Sequence, residues 1–129
     1  MNKDFSTLLP QPKNEISSKI SPEKVLERLS SSINDLYNNR IIAVITSGQT
    51  MMAYLSFTLY LQFTRHNDFM YPLFTAECFE NVGTYPINVS SHYGPKTDYG
   101  TIYTEEEFEN AIEEILGEER TRNTILSMY

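Results

Sequence analysis

Tryptophan is absent from the 129 residues, and cysteine and histidine are scarce, at one and two. The lone Cys78 has no partner for an internal disulfide, which excludes a disulfide framework and favours a reducing compartment, the cytoplasm. With so few thiols and imidazoles, no C-x-x-C or H-x-x-x-H spacing arises, and neither a metal nor a cofactor is expected. Glycine (five) and proline (six) are too sparse for a collagen-like or low-complexity chain. No apolar run approaches the ~20 residues of a membrane-spanning helix, and MNKDFSTLLPQPKNEISSK lacks the apolar core of a signal peptide. Basic residues are few: ten, against seventeen acidic, for a net charge of -7. That balance removes the long-range attraction on which nucleic-acid and anionic-membrane binding rest, so neither is an expected partner.

What remains is a composition that folds, with 40% hydrophobic and 21% charged residues in a length suited to one domain. Residues 1–20 have the Pro, Ser and Asn content of a flexible N-terminal arm, carrying Phe5, Leu8 and Leu9 as one apolar patch. The domain proper is expected over 21–129. Ser21 and Pro22 open a helix over about 22–38, with Val25, Leu26, Leu29, Ile33, Leu36 and Tyr37 at helical spacing. RIIAVIT follows, apolar at successive positions as in an interior strand covered on both sides, and TSGQT signals a turn around Gly48.

Positions 51–64 alternate strictly. Met51, Ala53, Leu55, Phe57, Leu59, Leu61 and Phe63 form an apolar face, and Met52, Tyr54, Ser56, Thr58, Tyr60, Gln62 and Thr64 an amphipathic one. FMYPLFTAECFE reads as a third strand that Pro72 marks as an edge or a bulge, with Met70, Phe74, Ala76 and Cys78 on one face. TYPINVSS is a fourth strand, given edge character by Pro86, and TIY a short fifth. Thr104 and Glu107 make a capping box for a helix with Phe108, Ala111, Ile112, Ile115 and Leu116 inward. Gly117 ends or bends it, and 118–127 adds a turn or two. Short connections between strands and segregated helices predict an α+β fold: an antiparallel four- to five-stranded meander flanked by an N-terminal and a C-terminal helix. The spacing of YPINV and EEFENAIEEIL resembles that of small prokaryotic or phage α+β proteins and implies no activity.

Chemistry-bearing constellations are weak. Cys78 with His92 or His66 lacks any spacing that joins thiol and base, and the cysteine fits an apolar strand face. Glu77 and Glu80 flank Cys78, and Glu77 is the best single carboxylate for acid–base work, although a solvated edge carboxylate explains it better. No phosphate-binding or nucleophile-elbow motif occurs, so no catalytic residue is assigned.

Tyrosine is abundant, at nine, and offers contact area at low entropic cost together with a hydroxyl. Tyr54, Thr58, Tyr60 and Gln62 compose a flat recognition patch, or else a second core layer under the C-terminal helix. Eight glutamates and no basic residue lie in 104–119, with Glu105, Glu106 and Glu109 pointing away from the apolar stripe. The leading expectation is a non-enzymatic interaction module, an inhibitor, adaptor or accessory subunit. It meets a protein with a basic patch through these seven residues and associates with itself to cover RIIAVIT. The alternative is an anionic-ligand or nucleotide-binding pocket between the sheet and the 92–100 loop, built from His92, Tyr93, Lys96 and Tyr99.

Overall fold

The computed structural model describes residues 21–50, 54–79 and 84–129. The expectations for the N-terminal arm, for Met51, Met52 and Ala53 and for Glu80 lie outside these residues.

Helix α1 spans Pro22–Leu36 and is capped as its sequence requires, the Ser21 hydroxyl accepting the Lys24 N–H at 3.3 Å. Five strands follow: β1 Ile41–Gln49, β2 Leu55–Phe63, β3 Phe69–Cys78, β4 Ile87–Ser91 and β5 Asp98–Ile102. Helices α2, Glu105–Leu116, and α3, Glu119–Met128, close the described chain. The strands pair antiparallel in chain order, β1-β2-β3-β4-β5, so the fold is α+β with a five-stranded meander. Tight turns permit the meander. Asn38 and Asn39 before β1, and Asn67 and Asp68 between β2 and β3, all adopt positive φ, which short polar side chains tolerate best. The capping box of α2 is present, Thr104 accepting from the Glu107 N–H at 3.1 Å, while the Glu107 carboxylate reaches back to the Tyr103 N–H at 3.0 Å.

The alternation of β2 decides where the core lies. Phe57, Leu59, Leu61 and Phe63 are buried, and the helices pack on their side of the sheet. Leu61 lies beside Leu29 and Ile33 of α1, Leu116 of α2 and Ile125 of α3. Phe108 of α2 meets Phe74 edge-on, ring centroids 6.2 Å apart, and Phe74 stands opposite Leu59 in the ladder. All three described helices therefore cover one face, and no described helix covers the other.

Four local expectations are corrected. β1 is an edge strand, not an interior one: Ala43 and Ile45 pack toward the core while Ile42 and Val44 face the other side, which is why the run is apolar throughout. Gly48 is part of β1, opposite Ser56, and the turn comes after it, where the Thr50 N–H donates to the Tyr54 carbonyl. Of the two readings of Pro72, the bulge holds, in a central strand: Leu59 pairs with Phe74 but Tyr60 with Pro72, leaving Leu73 extra. That extra residue reverses the strand's parity, so Met70 faces away from Phe74, Ala76 and Cys78. Pro86 precedes β4, which is itself interior, between β3 and β5.

Candidate functional site

Seen from the side that no described helix covers, the strand registers arrange side chains into rows that cross the sheet. Ile42, Gln62 and Met70 form one row, and Val44, Tyr60 and Pro72 the next. Then come Thr46, Thr58, Thr75, Ser90 and Asp98, and after them Gly48, Ser56, Glu77, Asn88 and Thr101. The first two rows are an apolar corner around the Tyr60 ring and the last two a field of hydroxyls and amides. None of these residues is buried. Glu77 and Asp98 are the only carboxylates in the four rows. With strands about 4.8 Å apart, the five together make a face roughly 19 Å across.

A hydrogen-bonded line runs through the polar field. The Thr58 and Thr75 hydroxyls lie 2.9 Å apart, and the Thr75 hydroxyl lies 2.7 Å from His92 Nε2. A hydroxyl beside an imidazole is the beginning of a nucleophile–base pair, but such a pair also needs a third group to orient the ring and donors for an oxyanion. No described group bonds the other ring nitrogen of His92. The line pins side chains of β2 and β3 to the end of β4. Cys78 is on the opposite side, fully buried, and burial pushes its thiol pKa up, away from thiolate chemistry. Among the described residues no group of His, Cys, Asp and Glu could hold a metal ion.

The structure does not bring all the candidate partner-binding residues together. Thr58, Tyr60 and Gln62 lie on the uncovered face, and Tyr54 stands at its margin, its N–H bonded to the Thr50 hydroxyl at 3.1 Å. Glu105, Glu106 and Glu109 are on α2, on the other side of the sheet. Glu105 and Glu109 converge on Arg28 of α1, with contacts of 2.7 and 3.0 Å. Glu106 makes no ion pair among the described residues.

The four residues of the 92–100 loop also divide. His92 joins the uncovered face, whereas the Tyr93 ring stacks on Tyr71 at 4.6 Å with the Arg120 guanidinium 4.7 Å from its centroid. Tyr99 donates to Glu118 at 3.2 Å, and burial together with that carboxylate raises its pKa to about 12. Lys96 lies 4.5 Å over the Tyr99 ring and pairs with Glu114 at 3.2 Å. The loop ends at Thr97, since Tyr99 lies in β5, and Tyr93, Lys96 and Tyr99 tie this loop and strand to α2 and α3. Gly94, at φ 109, allows this close approach, since a Cβ there would come within 3.0 Å of the Glu118 carboxylate.

A feature that sequence reading missed lies among the helices. α1, α2 and α3 enclose an apolar groove of about 410 Å³ with Leu61 at its floor and Arg122 at its side. Leu36 and Leu126 line it while remaining 70% and 75% exposed. The apolar stripe of α1 signals such a surface, but only the placement of α3 shows that the stripe is left partly uncovered.

Among the described residues no helix is long and apolar enough to cross a membrane. Comparison of the chain with protein-family models, with curated proteins and with solved structures finds no match.

Proposed function

We propose that this protein is a non-enzymatic interaction module of the cytoplasm whose contact surface is the uncovered face of its sheet. The partner is a protein that lays an uncharged surface on that face, apolar against Ile42, Val44, Tyr60, Met70 and Pro72 and hydrogen-bonding against Thr46, Thr58, Thr75 and His92. One observation carries this reading: Tyr60 sits only half-exposed in an apolar corner that, among the described residues, belongs to no part of the core. A ring so placed is ready to lose its remaining contact with water at little entropic cost, which is how aromatic anchors act in interfaces. The unpaired Cys78 supports a reducing compartment.

The glutamates of α2 are on the wrong side to share that contact. Their role is electrostatic: with a net charge of -7 the whole molecule attracts a partner carrying a basic patch, raising the encounter rate without entering the interface. Once a partner is isolated, Tyr60→Ala and Thr58→Lys are expected to weaken binding at least tenfold at any salt concentration. Glu106→Lys is expected to slow association only at low salt. Unchanged affinity in both sheet variants refutes the reading.

A further inference from the structure

We propose that the outer half of β1, residues 45–49, is a self-pairing edge that joins two copies of the chain antiparallel about Ser47. The inference begins with the phase of the β1–β2 ladder. The Thr64 N–H donates to the Arg40 carbonyl at 3.1 Å and the Thr50 N–H to the Tyr54 carbonyl at 2.8 Å, so even-numbered positions of β1 bond toward β2 at both ends. In an antiparallel ladder the alternate residues then direct N–H and C=O outward, here Ile41, Ala43, Ile45, Ser47 and Gln49. The Ala43 N–H confirms the phase, because it is taken from outside the sheet by the Asn34 side chain at 2.9 Å. Beyond Ala43 the outward groups of Ile45, Ser47 and Gln49 meet no partner among the described residues.

Sheet edges are ordinarily blunted by charge, proline, bulges or shortness. β5, the opposite edge, shows these devices: it has five residues, begins with Asp98, contains Gly100 at φ 73 and pairs irregularly with β4. β1 shows none of them. Its nine residues, IIAVITSGQ, hold no charge and no proline, and its pairing with β2 is unbroken.

The occupant follows from the same residues. Asn34 closes the edge at Ala43, so 45–49 is the stretch left to pair, and laid antiparallel on itself it is centred on Ser47. Ile45 then stands opposite Gln49 of the second copy, Thr46 opposite Gly48, and Ser47 opposite Ser47, with about six backbone bonds exchanged. Two chains that repel through their net charge of -7 meet along an uncharged segment. The two-fold axis stands perpendicular to the sheet and makes ten continuous strands, with both uncovered faces on the same side.

The test is the mass of the full chain by sedimentation equilibrium from ~10 to ~500 μM, the span in which a short edge yields a concentration-dependent dimer. The expected mass climbs from 14.9 kDa toward twice that value. Ser47→Pro removes a donor that β2 does not use, so it should leave folding intact and hold the chain monomeric. Ser47→Lys sets two ammonium groups face to face and should do the same without altering backbone freedom. Ser47→Cys should give a disulfide-linked dimer under mild oxidation, since Cys78 is buried. Tyr60→Ala, away from the edge, should leave the dimer intact, which separates this test from that of the sheet face. A wild-type chain that stays monomeric at ~500 μM, or a dimer indifferent to both Ser47→Pro and Ser47→Lys, overturns the proposal.

Discussion

The side-chain carbonyl of Asn34 accepts the backbone N–H of Ala43 at 2.9 Å, tying the last turn of α1 to the rim of the sheet. Asn34→Ala is expected to cost about 1 kcal/mol in urea unfolding, the usual worth of such a bond. Ala43 lies outside the 45–49 pairing, so the same variant should leave dimerisation unchanged in sedimentation.

Phe108 lies at the centre of an aromatic cluster, edge-on to Phe74 at 6.2 Å and to Tyr85 at 6.4 Å, and is fully buried. Phe108→Ala removes a ring from close packing and should destabilise the fold by about 3–5 kcal/mol. Tyr60→Ala, on the uncovered face, is expected to cost less than about 1 kcal/mol while weakening partner binding as proposed above. Thermal and chemical denaturation of the pair measure the difference. Equal losses would mean that Tyr60 belongs to a core.

Tyr85 and Tyr99 link stability to alkaline pH. Burial pushes the Tyr85 hydroxyl up to about 12, with help from Glu105 and Glu109, and burial beside Glu118 does the same for Tyr99. Each folded-state value lies above the ordinary 10, so the folded chain holds these protons more tightly than the unfolded chain does. Their contribution is complete below pH ~10 and is lost as pH rises toward about 12. The Tyr85 hydroxyl is buried without a partner among the described residues, so Tyr85→Phe should be neutral or stabilising by up to ~1 kcal/mol at pH 7. It should also flatten the decline between pH 10 and 12, read from urea midpoints at successive pH values.

Arg28 holds Glu105 and Glu109 together across α1 and α2. All three side chains are open to water, 54% for Arg28, 31% for Glu105 and 49% for Glu109, so the network is screened. Arg28→Ala is expected to shift the thermal midpoint by only a few degrees at low salt and by less at 0.5 M salt. A loss insensitive to salt would show that the packing of the Arg28 stem matters more than its charge.

Much of the architecture was legible because the chain states it in periodicity. The two-residue beat over 55–63 and the helical beats of α1 and α2 each fix an element and its inward face, and Ser21 and Thr104 mark where the helices start. Faces were misread where one residue changes the count. Leu73 is such a residue: nothing in FMYPLFTAEC separates the parity of Met70 from that of Phe74 without the partner strand in view. β1 misled for a different reason, since an apolar run looks the same whether helices cover both its sides or one side is left bare. The contact surface was half legible. Thr58, Tyr60 and Gln62 share a face by parity alone, but which face the helices choose is a tertiary fact, and that fact separates the tyrosines from the glutamates of α2. The edge at Ser47 depends on hydrogen-bond phase, for which sequence carries no sign.

The one-residue bulge at Leu73 sets a rhythm that mutation can hear. In a saturation scan scored only by folding, β2 should show a sawtooth of period two, intolerant at Phe57, Leu59, Leu61 and Phe63 and permissive between them. In β3 the beat should stumble once, two intolerant positions falling side by side at Leu73 and Phe74, before it resumes with the opposite parity.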